Sequence, residues 1–193
     1  MENLRIGYAF TGSFCTFDAS MGALQQLVEA GCQVTPIFSH NACTIDTRFG
    51  RAQDFVAQAE NLCRRQAITT ILGAEPLGPK DMIDLLVVAP CTSNTLGKIA
   101  HGINDTSVTM AVKSHLRSQR PVVLALATND ALAASAENIG ILLGRKHFYF
   151  VPFGQDNVEK KPFSAIADFS LLQRTVEMAL MGRQLQPLLI PSK

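Results

Sequence analysis

Apolar and polar positions along the chain fall into two alternating patterns. Short runs of apolar, β-branched or aromatic residues are separated by stretches in which apolar positions return every three or four residues, as in parallel strands interleaved with helices. Residues 5–10 read as the first strand. Leu24, Leu27 and Val28 then predict a helix over 19–30, with Asp18 as its N-cap and Gly31 ending it. A second strand is expected at 34–38, and Phe55, Ala59, Leu62 and Cys63 predict a helix over 51–65. A short strand is expected at 68–72, and Pro79 suits the first position of a one- or two-turn helix.

The run 85–89 is apolar without interruption, as in a central strand covered on both faces. It leads into Pro90, Cys91, Thr92, Ser93 and Asn94, the last three all capable of capping a helix that carries Leu96, Ile99, Ala100 and Ile103 on one stripe. A helix over 106–118 follows from Val108, Ala111, Val112 and Leu116. Further elements are a strand at 122–127, a helix over 131–143, a last strand at 148–153, and a C-terminal helix over 166–181, ending by about 183, with Phe169, Leu172, Val176 and Leu180 inward. No repeat or linker interrupts the pattern, so the expectation is one three-layer, doubly wound α/β domain over 1–193.

Composition narrows the classes. Of 193 residues 47% are hydrophobic and only 17% charged, against about 25% in ordinary soluble domains. That shortage predicts extra buried surface, as in a homo-oligomer, and the weakly polar helix over 106–118, with Met110, Ala111 and Val112 in a row, is the expected contact face. A net charge of +1 supplies no overall basic field for nucleic acid or anionic lipid. The longest apolar runs fall far short of the roughly 20 residues of a membrane span, and the N-terminus lacks the pattern of a signal peptide, so a cytoplasmic location is expected. Five scattered cysteines without a C-x-x-C pair suit reduced thiols, and four isolated histidines offer no metal-ligand spacing.

Ligands of open α/β sheets bind beyond the carboxyl ends of the strands. Those ends are rich here in hydroxyls and amides: Thr11, Gly12 and Ser13; Ser39, His40 and Asn41; Thr92, Ser93, Asn94 and Thr95; and Thr128, Asn129 and Asp130. Such groups, with backbone N–H at helix N-termini, can hold a phosphate without a lysine; each loop alone is more often a helix cap, but four of them at four strand ends favour a ligand cradle. Neither G-x-G-x-x-G nor G-x-x-x-x-G-K-[ST] is present, which argues against a standard dinucleotide or ATP site. Cys91 at a helix start has no visible base and reads as a buried thiol. Lys160 and Lys161 read as a solvated loop that could close over a ligand.

Residues 89–100 (APCTSNTLGKIA), followed by Gly102-Ile103-Asn104-Asp105, resemble the flavin-binding signature of the flavoprotein family that includes the homo-oligomeric flavin-containing cysteine decarboxylases. Thr11-Gly12-Ser13 and Ser39 resemble that family's FMN-phosphate loops. Within it, the blocks at 46–50, 74–80, 108–111, 128–132 and 150–156 are most similar to the sporulation branch, the B subunits of dipicolinate synthase. The resemblance implies a Rossmann-like fold and an FMN site made by Thr11, Gly12, Ser13, Ser39, Pro90, Thr92, Ser93, Asn94, Thr95, Thr128 and Asn129. It implies an oxidoreductase reaction, in which a dihydrodipicolinate-type precursor becomes dipicolinate with the help of a separate A subunit that brings any nicotinamide cofactor. The setting it implies is the mother cell of a sporulating bacterium.

His40, Arg48 and Asn94 are the candidate catalytic residues, His40 being equally readable as a plain surface histidine. Arg48, Lys98, Lys113 and Arg117 are candidate clamps for a dicarboxylate, although the last three fall on helices where a solvated charge is the commoner role. The decarboxylases of the family carry Pro-Ala-Met-Asn after the fifth strand, with Met and Trp beyond. Here the stretch reads Leu126-Ala127-Thr128-Asn129, then Leu132 and Ala133, which speaks against cysteinyl decarboxylation. That activity, and a non-catalytic scaffold supporting a nicotinamide-dependent partner, stand as the alternatives.

Overall fold

All seven residues of β3 (Leu85–Cys91) are buried, so this strand must lie inside a sheet covered on both faces. In the computed structural model, which describes residues 1–191, β3 is flanked by β1 (Arg5–Phe10) and β4 (Val122–Thr128). β2 (Gln33–Phe38) pairs with β1, and β5 (Phe148–Phe150) with the first half of β4, all parallel. The parallel order is thus β2-β1-β3-β4-β5, which is a doubly wound sheet with its switch point between β1 and β3. A hairpin of β6 (Phe153–Asn157) and β7 (Lys161–Ala167) joins antiparallel to the far end of β4, at Ala127 and Thr128.

Helices cover the two faces. They are α1 (Phe17–Glu29), α2 (His40–Thr44), α3 (Ala52–Cys63), α4 (Ile71–Ala74), α5 (Ser93–Ala100), α6 (Ser107–Leu116), α7 (Ala136–Leu143) and α8 (Leu172–Leu180). None is long and apolar enough to cross a membrane among the described residues. At the carboxyl ends of β1 and β2, Phe10 stacks on Phe38 at 4.6 Å while Phe17 meets Phe10 and Phe55 edge-on. These rings give the strand-end loops a rigid, dry base. At the opposite end of the sheet, Arg5 and Arg120 pair with Asp81 and Asp84.

Several elements depart from the sequence pattern, each for a local reason. Asp18 lies inside the first turn of α1, because a short helical turn at Phe14–Thr16 starts the helix earlier and leaves Thr16 at the N-cap. The strand expected at 68–72 shrinks to one bridge from Ile68 to Ile37, since the Thr70 hydroxyl accepts Gly73 N–H and turns the chain into α4. Pro79 starts no helix; the short helical turn is Glu75–Leu77, and Gly78 then packs directly against α6. The helix expected over 131–143 begins at Ala136. Asp130 ties 131–135 into a turn, its backbone oxygen accepting Ser135 N–H and its carboxylate accepting the Ser135 hydroxyl.

The strand expected at 148–153 ends at Phe150, and Ile166 belongs to β7 rather than to the last helix, which starts at Leu172. Ile103 and Leu180 are exposed, not inward. The face chosen for subunit contact is also corrected: Val108, Ala111 and Val112 of α6 are buried in the chain's own core, packed against α4, α5, β2 and β3. The exposed large apolar side chains, Phe49, Leu132 and Phe163 among them, lie elsewhere.

Two glycine substitutions should act in opposite directions. A Cβ on Gly78 would stand 1.9 Å from the Ser114 carbonyl oxygen, whereas one on Gly22, inside α1, meets nothing within 4 Å. Gly78→Ala is expected to destabilise by at least about 2 kcal/mol, and Gly22→Ala to stabilise by about 0.5–1 kcal/mol, both read from urea midpoints.

Acid should weaken the fold in two stages. His115 is buried, its Nε2–H donating to Pro121 O at 3.1 Å, and burial pushes its pKa down to about 4. The unfolded chain therefore takes up a proton near pH 6.5 that the folded chain refuses, so stability drops by up to about 3 kcal/mol between pH 6.5 and 4. Below that window Asp84, held low by its hydrogen bond to Arg5, begins to lose its contribution. His115→Gln should flatten the upper stage in unfolding curves taken at pH 7, 6 and 5.

Candidate functional site

The carboxyl end of β3 leaves its regular register with β4 between Val88 and Cys91, and buried carbonyls there need donors from elsewhere. Ser20 Oγ on α1 donates to Ala89 O at 2.6 Å and is itself braced by the buried Tyr8 hydroxyl at 3.0 Å. Thr11 Oγ1 donates to Pro90 O at 2.7 Å and accepts Thr92 N–H at 3.1 Å. Ser107 Oγ donates to Phe38 O, tying the start of α6 to the end of β2. The ends of β1, β2 and β3 and the N-termini of α5 and α6 are thereby held in one place.

A groove runs over this floor as two lobes that share Gly12 and Thr92. Each lobe measures about 290 Å³, so together they reach the range of a cofactor site. The inner lobe is walled by Ser39, His40 and Asn41, by Asn94, Thr95 and Lys98 of α5, and by Thr106. Thr92 caps α5 by accepting Thr95 N–H at 3.3 Å, and Thr106 caps α6 in a reciprocal pair with Thr109. With the caps spoken for by Thr95 and Thr109, the N–H groups of Ser93 and Asn94 remain at the α5 terminus, where the helix dipole favours an anion. Lys98 Nζ adds positive charge and is paired with Asp105 at 2.8 Å.

The outer lobe lies between the loop Ser13–Thr16, Thr92 and Ser93, the end of β4 at Ala127 to Asp130, and the β6–β7 hairpin. Asp130 takes the Thr128 and Ser135 hydroxyls on one oxygen, Oδ1, which fixes its carboxylate at the lobe wall. Cys15, Asp156, Lys161 and Ser164 complete the lining.

Of the residues expected from sequence, Gly12, Ser13, Ser39, Thr92, Ser93, Asn94, Thr95, Thr128, Asn129 and His40 line one lobe or the other. Thr11 and Pro90 line neither, because each is buried and bonded to the other; they shape the groove from beneath. Arg48 is exposed outside both lobes, its guanidinium 4.8 Å above the Phe49 ring, and Lys113 and Arg117 lie on or just past α6, also outside. Cys91 is buried and its thiol is pushed up to about 12 by burial, which removes it as a thiolate nucleophile. Thr106, Thr16, Cys15, Asp156 and Ser164 line the groove without having stood among the expected residues. The Thr106-x-x-Thr109 spacing was a capping signal for the first of them.

A family model for Flavoprotein matches residues 1–160, a span that takes in both lobes except the last hairpin strand. The chain belongs to the flavoprotein family. It is 43% identical over 190 residues to the B subunit of dipicolinate synthase from Bacillus subtilis, covering 98% of this chain and 95% of that protein. The crystal structure of the dipicolinate synthase B subunit from Bacillus halodurans, 38% identical, superposes with a TM-score of 0.91 over the whole of both chains. Burkholderia xenovorans DmrB in complex with FMN, described as a cubic protein cage for redox transfer, shares the fold at 18% identity and a TM-score of 0.69 over 93% of this flavoprotein and 96% of DmrB.

The Thr11 hydroxyl should prove structural rather than ligating. Thr11→Val leaves Pro90 O and Thr92 N–H without their partner, at an expected cost of about 1–3 kcal/mol. Thr11→Ser should restore most of it, both read from urea unfolding.

Proposed function

We propose that this flavoprotein is the B-type subunit of a dipicolinate synthase, binding FMN in the strand-end groove and acting in sporulation with a separate A-type subunit that brings a nicotinamide cofactor. The observation that carries this reading is the 43% identity to the Bacillus subtilis B subunit over 98% of this chain and 95% of that protein. The groove suits the cofactor. Gly12 at its waist leaves the backbone open, since a Cβ there would meet only Phe14 and Asn41 at 3.7–3.9 Å. The inner lobe offers Ser39, the α5 terminus and Lys98 to a phosphate. Asn129 offers its amide to a flavin ring reaching into the outer lobe, and Thr92 and Thr128 border the space the ring would fill.

When bound, FMN would accept the two electrons released as the dihydropyridine precursor becomes aromatic. The chain's own residues hold the precursor against that ring and exclude water. Asn129 and Ser93 border the space left for it, and Asp130, with one oxygen tied by Thr128 and Ser135, is placed to receive a proton on the other. His40 borders only the inner lobe, which supports a place for it beside the phosphate rather than beside the reacting ring. The relative named as a cubic cage supports assembly of this chain into a homo-oligomer.

The test is absorbance and fluorescence of the purified chain with added FMN, followed by synthase assays with the A-type subunit. Wild type is expected to retain FMN and Gly12→Leu to lose it with an unchanged unfolding midpoint. A chain that binds no FMN yet supports full synthesis would overturn the flavin assignment.

A further inference from the structure

Each lobe of the groove carries a lysine held by an aspartate. In the inner lobe Lys98 pairs with Asp105 at 2.8 Å; in the outer lobe Lys161 pairs with Asp156 at 2.7 Å. The outer pair is the more revealing, because both members line the lobe and both are open to solvent, at 54% and 36% exposure. Lys161 is the cationic side chain among the described residues lining that lobe, facing two carboxylates, Asp130 and Asp156. A dianionic substrate meets an unfavourable field there unless Lys161 turns from Asp156 to the substrate.

The hairpin does not need the ion pair. Gln155 Nε2 donates to Pro162 O at 2.9 Å, Lys160 N–H to Asn157 Oδ1 at 2.8 Å, and Leu132 N–H anchors the hairpin by donating to Phe163 O at 3.0 Å. On the outer edge of β6, Phe153 N–H donates to Leu188 O and Phe153 O accepts Ile190 N–H. Exposed ion pairs add little to such a framework. What the framework does is fix the backbone from which the lysine reaches: Ser164, 2% exposed, donates its hydroxyl to Lys161 O at 2.9 Å. A rigidly based cation with a weakly held, displaceable partner is suited to exchanging one carboxylate for another.

We propose that Lys161 is the carboxylate-recognising residue of the outer lobe, and that Asp156 holds its ammonium at the mouth until a substrate carboxylate takes that place. This rests on the dicarboxylate chemistry of the function proposed above. It requires no movement of the parallel sheet. Asp156, a third exposed, turns to solvent as the substrate carboxylate arrives. The hydroxyls of Ser13 and Ser93, which also line the lobe, are left to donate to the other acceptor oxygens.

The test is calorimetric titration of pyridine-2,6-dicarboxylate into the full chain, with and without FMN, for wild type, Lys161→Gln, Lys161→Arg and Asp156→Asn. Lys161→Gln is expected to weaken binding at least tenfold, Lys161→Arg to retain most of it, and Asp156→Asn to tighten it severalfold. A pair that merely braces the hairpin would make Lys161→Gln and Asp156→Asn act alike. Shifts of the same sign, no shift in either, or no binding by wild type would overturn the proposal. FMN retention is scored in the same samples: flavin bound without dicarboxylate binding sinks this inference alone, and dicarboxylate binding with opposite-signed shifts but no flavin sinks only the cofactor assignment.

Discussion

The whole site depends on how a doubly buried strand ends. β3 cannot turn to water for its last carbonyls, so the oxygens of Ala89 and Pro90 take hydroxyl donors from α1 and from the end of β1. Because the Thr11 hydroxyl also accepts Thr92 N–H, one side chain sets where β1 stops, where β3 stops and where α5 begins. The groove lies over that junction, at the point where the strand order reverses, as open α/β sheets require.

From that junction two chemically different halves follow. The inner lobe collects helix N-termini, hydroxyls and one lysine, a setting for a phosphate that owes little to any single charge. The outer lobe is bounded by an antiparallel hairpin that parallel winding alone would not supply, and it carries the carboxylates and the exchangeable lysine. The two linings meet at Gly12 and Thr92, and on the function proposed above cofactor phosphate and substrate would lie to either side of them. The acid-sensitive elements, His115 and the Arg5–Asp84 pair, sit at the other end of the sheet and bear on folding, not on the groove.

Most of the sheet was legible from pattern because parallel central strands are apolar throughout: 85–89 and 122–127 could be little else. The hairpin was hidden for the converse reason. β6 and β7 are half-exposed, lack regular alternation, and carry Pro162, so they look like a connection until pairing to β4 is seen. Ile166 read as helical because three-residue spacing continues from β7 through Phe169 to Leu172, whereas Leu180 does lie in the last helix but on its exposed side. The four hydroxyl-rich strand ends were visible as a set, but not which hydroxyls face ligand: Thr11 and Ser39 look alike in sequence, and only Thr11 is consumed by a neighbouring strand.

Local chemistry along the chain therefore settled the fold class, the central strands and the loops that build the groove, because hydrophobic periodicity and capping residues act over a few positions. Contacts between distant parts of the chain settled the rest. Thr11 met Pro90, α6 spent its apolar face on the core rather than on a partner, and Lys161 was brought beside Asp156 at the mouth of the outer lobe. Burial and partner choice are properties of the packed chain, and a one-dimensional pattern cannot tell a hydroxyl that holds the fold from one left free to hold a ligand.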